Sequence, residues 1–360
     1  MRKTRARDLF ILSGLNAQRV HGKLSWLESV LKQVSTKASS VGLRKVITMA
    51  QRDIQMPLLH PVLRIFLFAI ISLGLLLPFS FIASIATAFP GAAINKPQDL
   101  LGSSTALLLL TCYFHVPILI SMSICRRLFD RASLFSLGLI KVRHWRVHLV
   151  GGFFGGFIMA ALATLICVLF GGASMVGFGN AMLSWFAFYL LSLCFQSGME
   201  ELTMRGYVLQ NLLTRFSVAV CIATTSALFS LLHLLNFTVL APSVKAHTVV
   251  ASIINIALFG AVAALLVIRT GALWAAIGLH WGWNFSCGFI FGSPVSGLKF
   301  EHQVLQVIWH GNEILTGGSF GLEGSVVVTV MLLAVVCWLV LRGRCEPSAW
   351  WMQVRSLTES

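Results

Sequence analysis

Eight segments of this chain each hold about 18 or more residues that are almost all apolar. No other feature constrains the fold so strongly, because a run of that length spans the hydrocarbon core of a bilayer as a helix. The approximate limits are 61–89, 101–123, 148–172, 184–212, 217–241, 249–269, 270–292 and 325–342. A β-barrel would need apolar and polar residues to alternate over about ten positions, and these runs do not alternate. The expected fold class is all-α: a polytopic transmembrane helical bundle of about eight spans. The fourth span is the least regular, because it carries Glu200, Glu201 and Arg205. Only "RTG", Arg269 to Gly271, separates the sixth from the seventh.

Charge placement orients the bundle. Lys and Arg collect in the tail 1–60, the 124–147 loop, the 205–215 region, the turn at Arg269 and the tail after Leu341. The opposite side carries only Lys96, Lys245 and Lys299. That is the positive-inside pattern, and it predicts both termini on the cytoplasmic side. The formal net charge of +15 is therefore read as a membrane-facing charge, with no nucleic-acid partner. A basic tail beside anionic lipid gains about 1 kcal/mol per Lys or Arg near the surface.

The expected organisation is a basic cytoplasmic tail at 1–60 and a first group of helices at 61–172. A core follows at 180–292, then an extracytoplasmic loop at 293–324, with the last helix and a cytoplasmic tail at 325–360. The tail shows no secretory signal. Its stretch Leu24–Val34 has apolar residues at helical spacing, suiting an interfacial helix or an ordinary helical tail. The 293–324 loop, with "GNEILTGGSFGLEG", reads as an irregular polar connection. The eight Cys include no CxxC pair. Six of them (Cys112, Cys167, Cys194, Cys221, Cys287 and Cys337) fall inside spans and read as small packing residues.

Ionisable groups at membrane depth are costly and point to function. Three segments carry them. In "QSGMEELTMRGYVLQ", Gln196 to Gln210, a helix puts Glu201 and Arg205 at i, i+4 in the favourable order, so Arg205 neutralises Glu201. Glu200 points about 100° away and is free to meet another helix. In "ALFSLLHLLN", His233 is the span's only ionisable group, with Phe229 one turn earlier on the same face. In "GALWAAIGLHWGWNF", His280 and Asn284 share a face and offer N–H donors to one region. Depth counted at 1.5 Å per residue puts Glu200 about 3 Å, His233 about 6 Å and His280 about 2 Å from the midplane.

A carboxylate and a His can hold and deprotonate a water. A second His and an Asn can donate to a developing oxyanion, each such donor being worth about 10²–10³ in rate elsewhere. The set suits hydrolysis of an amide with water as nucleophile and no cofactor. Zinc stays open as a rival, since Glu200, His233 and His280 could ligate it, although no HExxH is present.

"EELTMR", "FSLLH" and "HWGWN" resemble the EExxxR, FxxxH and HxxxN motifs of the CPBP intramembrane proteases, also called the Abi family. That family includes the type II CAAX prenyl endopeptidases and proteins linked to bacteriocin processing and immunity. The likeness covers about residues 180–292 and includes the turn in "RTGALW". It implies a glutamate-dependent, metal-free intramembrane endopeptidase acting on a membrane-associated protein or peptide. Glu200 would be the base and His233 would help to orient the water. His280 and Asn284 would form the oxyanion hole, with Glu201, Arg205 and Phe229 in support. The family's usual distribution implies a bacterial inner membrane. A non-catalytic protein of the same fold, serving immunity or as a scaffold, is the alternative, and a proton-coupled carrier is a third reading. Ser174 in "GGASM" carries a weaker serine-protease reading.

Overall fold

A computed structural model describes residues 59–88, 104–241 and 243–342. The stretch Leu24–Val34, Cys345 and most of both tails lie outside the described residues. Each of the eight apolar segments forms helix. The first two are α1 (Pro61–Ala88) and α2 (Ser104–Leu128), and the third is α3 (Trp145–Leu169). The fourth is composite: α4 (Leu183–Glu201), a π-helical segment π1 (Leu202–Val208) and a short α5 (Leu209–Leu213). The fifth breaks into α6 (Val218–Leu232) and α7 (Leu234–Val239), with His233 between them. Then come α8 (Ala246–Thr270), α9 (Trp274–Phe285), a second π segment π2 (Ser286–Ile290), and finally α11 (Val326–Leu341).

Among the described residues, four helices are long and apolar enough to cross a membrane by length and composition, and α11 is a shorter apolar helix. Their outer faces carry bare apolar side chains, such as Leu73, Leu77, Leu165, Val250 and Val330. A continuous apolar exterior of this kind is stable against lipid and unstable against water. The protein is thus built as a helical membrane protein.

The loop at 293–324 is more ordered than its composition suggests. It contains β2 (Leu305–Trp309), the one-turn helix α10 (Glu313–Thr316) and two 3-10 turns. β2 pairs antiparallel with β1 (Ala173–Phe178), which links α3 to α4, and the pairing slips between Met175 and Gly177. Sequence reading misses this ribbon because its two strands lie more than 120 residues apart. Phe320 stacks on Phe237 of α7 with ring centroids 4.3 Å apart, and Glu323 accepts from the Ser296 N–H and hydroxyl at 2.7 and 2.6 Å. Cys125, Cys167, Cys194, Cys221, Cys287 and Cys337 are free thiols; Cys125, Cys167, Cys221 and Cys287 are buried, as packing residues should be, whereas Cys337 is exposed.

Helix α9 occupies the centre. It packs on α3, α4 and α8, and glycines bring it against α3. A Cβ on Gly152 or Gly156 would sit 2.4 or 2.2 Å from the carbonyl oxygens of Ala275 or Leu279. In return, a Cβ on Gly278 or Gly282 would sit 2.1 or 2.0 Å from those of Leu149 or Phe153. Two glycine pairs four residues apart therefore face each other, so the backbones touch and gain dispersion contacts that lipid cannot replace. Indole hydrogen bonds fix the rotation of α9: Trp274 donates to the Ile140 carbonyl at 2.8 Å and Trp281 to that of Leu190 at 2.9 Å.

The interlock has a sharp consequence. Gly282→Ala should lower stability by about 3 kcal/mol, the upper end for overpacking, because the atom it meets is backbone. Gly155→Ala, where the nearest atom is a Leu279 side-chain carbon at 3.7 Å, should be nearly neutral. Thermal unfolding of the two purified variants in one detergent checks the contrast.

Candidate functional site

The site begins where α4 turns into π1. A π segment adds a residue to the turn and re-aims the side chains that follow. Even so, Glu201 and Arg205 still meet: Arg205 Nη1 donates to Glu201 Oε1 at 3.0 Å, and both side chains are fully buried. The pairing expected from the sequence is present. The structure adds that the same Glu201 oxygen also lies 2.9 Å from His280 Nδ1. A carboxylate oxygen accepts, so His280 Nδ1 carries the proton and its ring is locked by Glu201.

That lock aims the other nitrogen. His280 Nε2 faces Glu200 Oε2 at 3.7 Å. Glu200 thus meets a residue of another helix, while Gln196 Nε2 approaches its second oxygen at 3.4 Å. The Glu200 side chain is 21% exposed, against 0% for Glu201. One carboxylate is built into the protein and its neighbour opens to whatever enters. With His280 as imidazolium, Glu200, Glu201, Arg205 and His280 sum to zero charge, the arrangement that low dielectric favours.

His233 caps α6. Its Nδ1 lies 2.8 Å from the Phe229 carbonyl, which can only accept, so Nδ1 carries a proton. In neutral His233, Nε2 is then a bare lone pair. Glu200 lies within electrostatic reach of His233 as well as His280. Phe229 is the hub between them. The Arg205 guanidinium sits 4.4 Å from its ring centroid, and the His233 and His280 rings meet it at 4.8 and 5.9 Å. A cation over an aromatic face in a dry setting is held firmly. Gly260 of α8 leaves room for this stack, since a Cβ there would come 3.1 Å from Arg205 Nη2.

Asn284 is buried, and its Nδ2 lies 3.3 Å from the Ser197 hydroxyl. Its Oδ1 has no hydrogen-bond partner. At rest the His280 Nδ1–H is held by Glu201 and one Asn284 Nδ2–H points to the Ser197 hydroxyl, bonds that leave the second Nδ2–H and, in the imidazolium, the Nε2–H unused. π2 starts two residues after Asn284, so irregular helix flanks both halves of the site.

The structure brings Glu200, Glu201, Arg205, Phe229, His233 and His280 into one cluster and sets Asn284 one helical turn from His280. Among the described residues, no group of three or more His, Cys, Asp or Glu is arranged to hold a metal ion. Ser174 does have a side-chain partner, His310 Nε2 at 2.8 Å, but the pair lies on the exposed ribbon and not on the helices that carry this cluster. Sequence reasoning passed over Gln196, Ser197 and His115. The first two sit in the opening stretch as polar residues within an apolar span, and that oddity was a usable signal. His115 is a lone His in the second span.

No curated protein matches the chain. Residues 181–286, which hold every residue of the cluster, match the family model of the Rce1-like type II CAAX prenyl endopeptidases, and it is these proteins that this part of the chain resembles.

Proposed function

We propose that this protein is an intramembrane endopeptidase that hydrolyses a peptide bond in a membrane-associated protein or peptide. One observation carries the reading. Glu201 holds both Arg205 and His280, which leaves the neighbouring Glu200 partly open and facing the His280 Nε2. The similarity of residues 181–286 to a CAAX endopeptidase family supports it.

In this mechanism Glu200 takes a proton from a water while His233 Nε2 orients that water. The water oxygen bonds to the peptide carbonyl carbon, and the carbonyl oxygen becomes an oxyanion. His280 Nε2–H and Asn284 Nδ2–H donate to it, Asn284 leaving its resting contact with Ser197. The C–N bond then breaks, and the proton held on Glu200 passes to the leaving nitrogen. No covalent intermediate forms. Asn284→Ala should lower kcat about 10²–10³-fold with little change in KM, the usual cost of one oxyanion donor. Single-turnover rates on a cleaved peptide check this.

The same reading places eight helices across the membrane with both termini inside, following the charge pattern, most naturally in a bacterial inner membrane. Residues 180–292 would be the catalytic core, with the 293–324 loop outside. The direct test compares protein termini in membrane and secreted fractions of cells carrying wild type or Glu200→Gln at equal levels. Termini that shift only with the variant identify the substrates. Unchanged termini across growth conditions in which the protein is abundant would favour a non-catalytic role.

A further inference from the structure

From Leu149 to Met199 the chain holds no Asp, Glu, Lys, Arg or His. That stretch covers most of α3, most of α4 and the connection between them, which contains β1. The connection is bare as well as uncharged. Met175, Val176 and Phe178 are exposed, Phe178 at 85%. The bare surface runs on into both helices: Leu165 and Leu169 of α3, and Met182 and Leu183 where α4 begins, are all more than half exposed. An uncharged apolar run of this size marks a contact surface, and it is continuous with the lipid-facing exterior of α3.

The ribbon has two unlike strands. β2 turns inward: Val307 is buried, and Trp309 donates to the Phe291 carbonyl at 3.2 Å, tying the strand to the end of π2. β1 is the outer strand, and among the described residues its second edge pairs with no strand. An open edge cannot lie in hydrocarbon, where its N–H and C=O groups would go unsatisfied. Bare Phe, Met and Val side chains are equally unsuited to water. The headgroup–acyl boundary meets both demands, since backbone there reaches water while apolar side chains dip inward. Trp185, in the first turn of α4, and Trp309, paired with Ala173, flank β1 with rings that favour that level. Where β1, α4 and π2 meet lies a groove of about 340 Å³, lined by Phe178, Ala181, Met182, Phe186, Phe289 and Val304 among others. No polar side chain stands in its wall.

We propose that β1 and this groove form a phospholipid site. The strand lies at the headgroup boundary of the leaflet on the side of the 293–324 loop, and one acyl chain of that leaflet fills the groove. The chemistry selects this occupant. A wall without charged or hydrogen-bonding side chains suits a hydrocarbon chain, and the open strand edge above it offers N–H donors to ester oxygens. The site does not depend on the endopeptidase reading, because the groove touches none of the residues placed in that mechanism.

The test places the full chain, one copy per disc, in nanodiscs of phosphatidylcholine that carries a diazirine on its acyl chain. After irradiation and digestion, mass spectrometry should find lipid adducts at Met182 and Phe186 as well as at Leu165 on the open face of α3. Ala181→Trp, which fills the groove, should remove the adducts at Met182 and Phe186 and keep those at Leu165. Val304→Trp, from the other wall, should do the same. Hydroxyl radicals made in the water should spare Met175 and Met182 while they oxidise His247, which is exposed at the start of α8, although sulfur is the more reactive group. Oxidation of both methionines ahead of His247 would put the ribbon in water and overturn the proposal. Protection without adducts at Met182 and Phe186 would assign the cover to another part of the chain and overturn it too. So would protection that appears only with two copies per disc, which would assign the surface to a second copy. Adducts at Met182 and Phe186 that survive both Trp variants would mean that lipid touches the surface and does not enter the groove, and the site would fall.

Discussion

Glu200→Gln is expected to lower the rate of peptide hydrolysis about 10³-fold, within the range attributed to a positioned general base, while the protein stays folded. Both halves follow from the environment of Glu200. Its side chain is partly exposed, and its hydrogen bond is a 3.4 Å approach from Gln196. Gln has nearly the same shape and keeps an oxygen for that approach, so little packing is lost. It cannot take a proton from water. Rates with a peptide identified from the shifted termini, set beside unfolding temperatures of the same preparations, separate chemistry from stability. A variant with wild-type rate would remove Glu200 from the mechanism. A variant that unfolds early would mean that its role is structural.

Arg205→Ala should have the opposite signature, a large loss of stability. Arg205 and Glu201 are both fully buried, and the guanidinium also lies on the Phe229 ring. Removing one partner of such a pair typically costs about 3–5 kcal/mol, because the other charge stays buried without compensation. Here the orphaned carboxylate would be Glu201, which also holds His280, so activity should fall with stability. Arg205→Lys keeps a charge but loses the flat stack and the fork of donors, so it should lie between the two. Combining Arg205→Leu with Glu201→Leu should recover much of the stability, since no charge is left behind. It should not recover activity, because His280 would lose the acceptor that orients it. Thermal unfolding and turnover measured across this series test the distinction. Equal stability of Arg205→Ala and wild type would mean that Glu201 reaches water and that the buried pair contributes little.

The two effects separate adjacent residues. Glu200 and Glu201 are alike in composition and in expected cost at membrane depth. Their difference comes from which way each points on the helix, and α-helical spacing made that visible before any tertiary contact was known. Glu201 faced Arg205 four residues on, and Glu200 did not. The same spacing put Phe229 beside His233 and set His280 one turn before Asn284. Long apolar runs placed all eight helices to within a few residues, because the repeat of a helix and the thickness of a bilayer are properties of local sequence.

What local sequence could not hold was any contact between distant segments. The bond from His280 to Glu201 joins residues 79 apart. Nothing in the stretch around His280 says which of two carboxylates it will choose. The break of the fifth helix at His233 needs neither Pro nor Gly, so it left no mark in the composition. The facing glycines of α3 and α9 are legible only as pairs, since a close approach requires both backbones. The resting contact of Asn284 with Ser197 likewise depends on how α4 and α9 pack. The sequence determined the helices, the polar residues among them and the face on which each stands, because those follow from interactions within a few turns. Only the tertiary structure decided that Glu201 is locked and Glu200 open. Those outcomes depend on packing between α4 and α9, whose locked pair lies 79 residues apart in the chain.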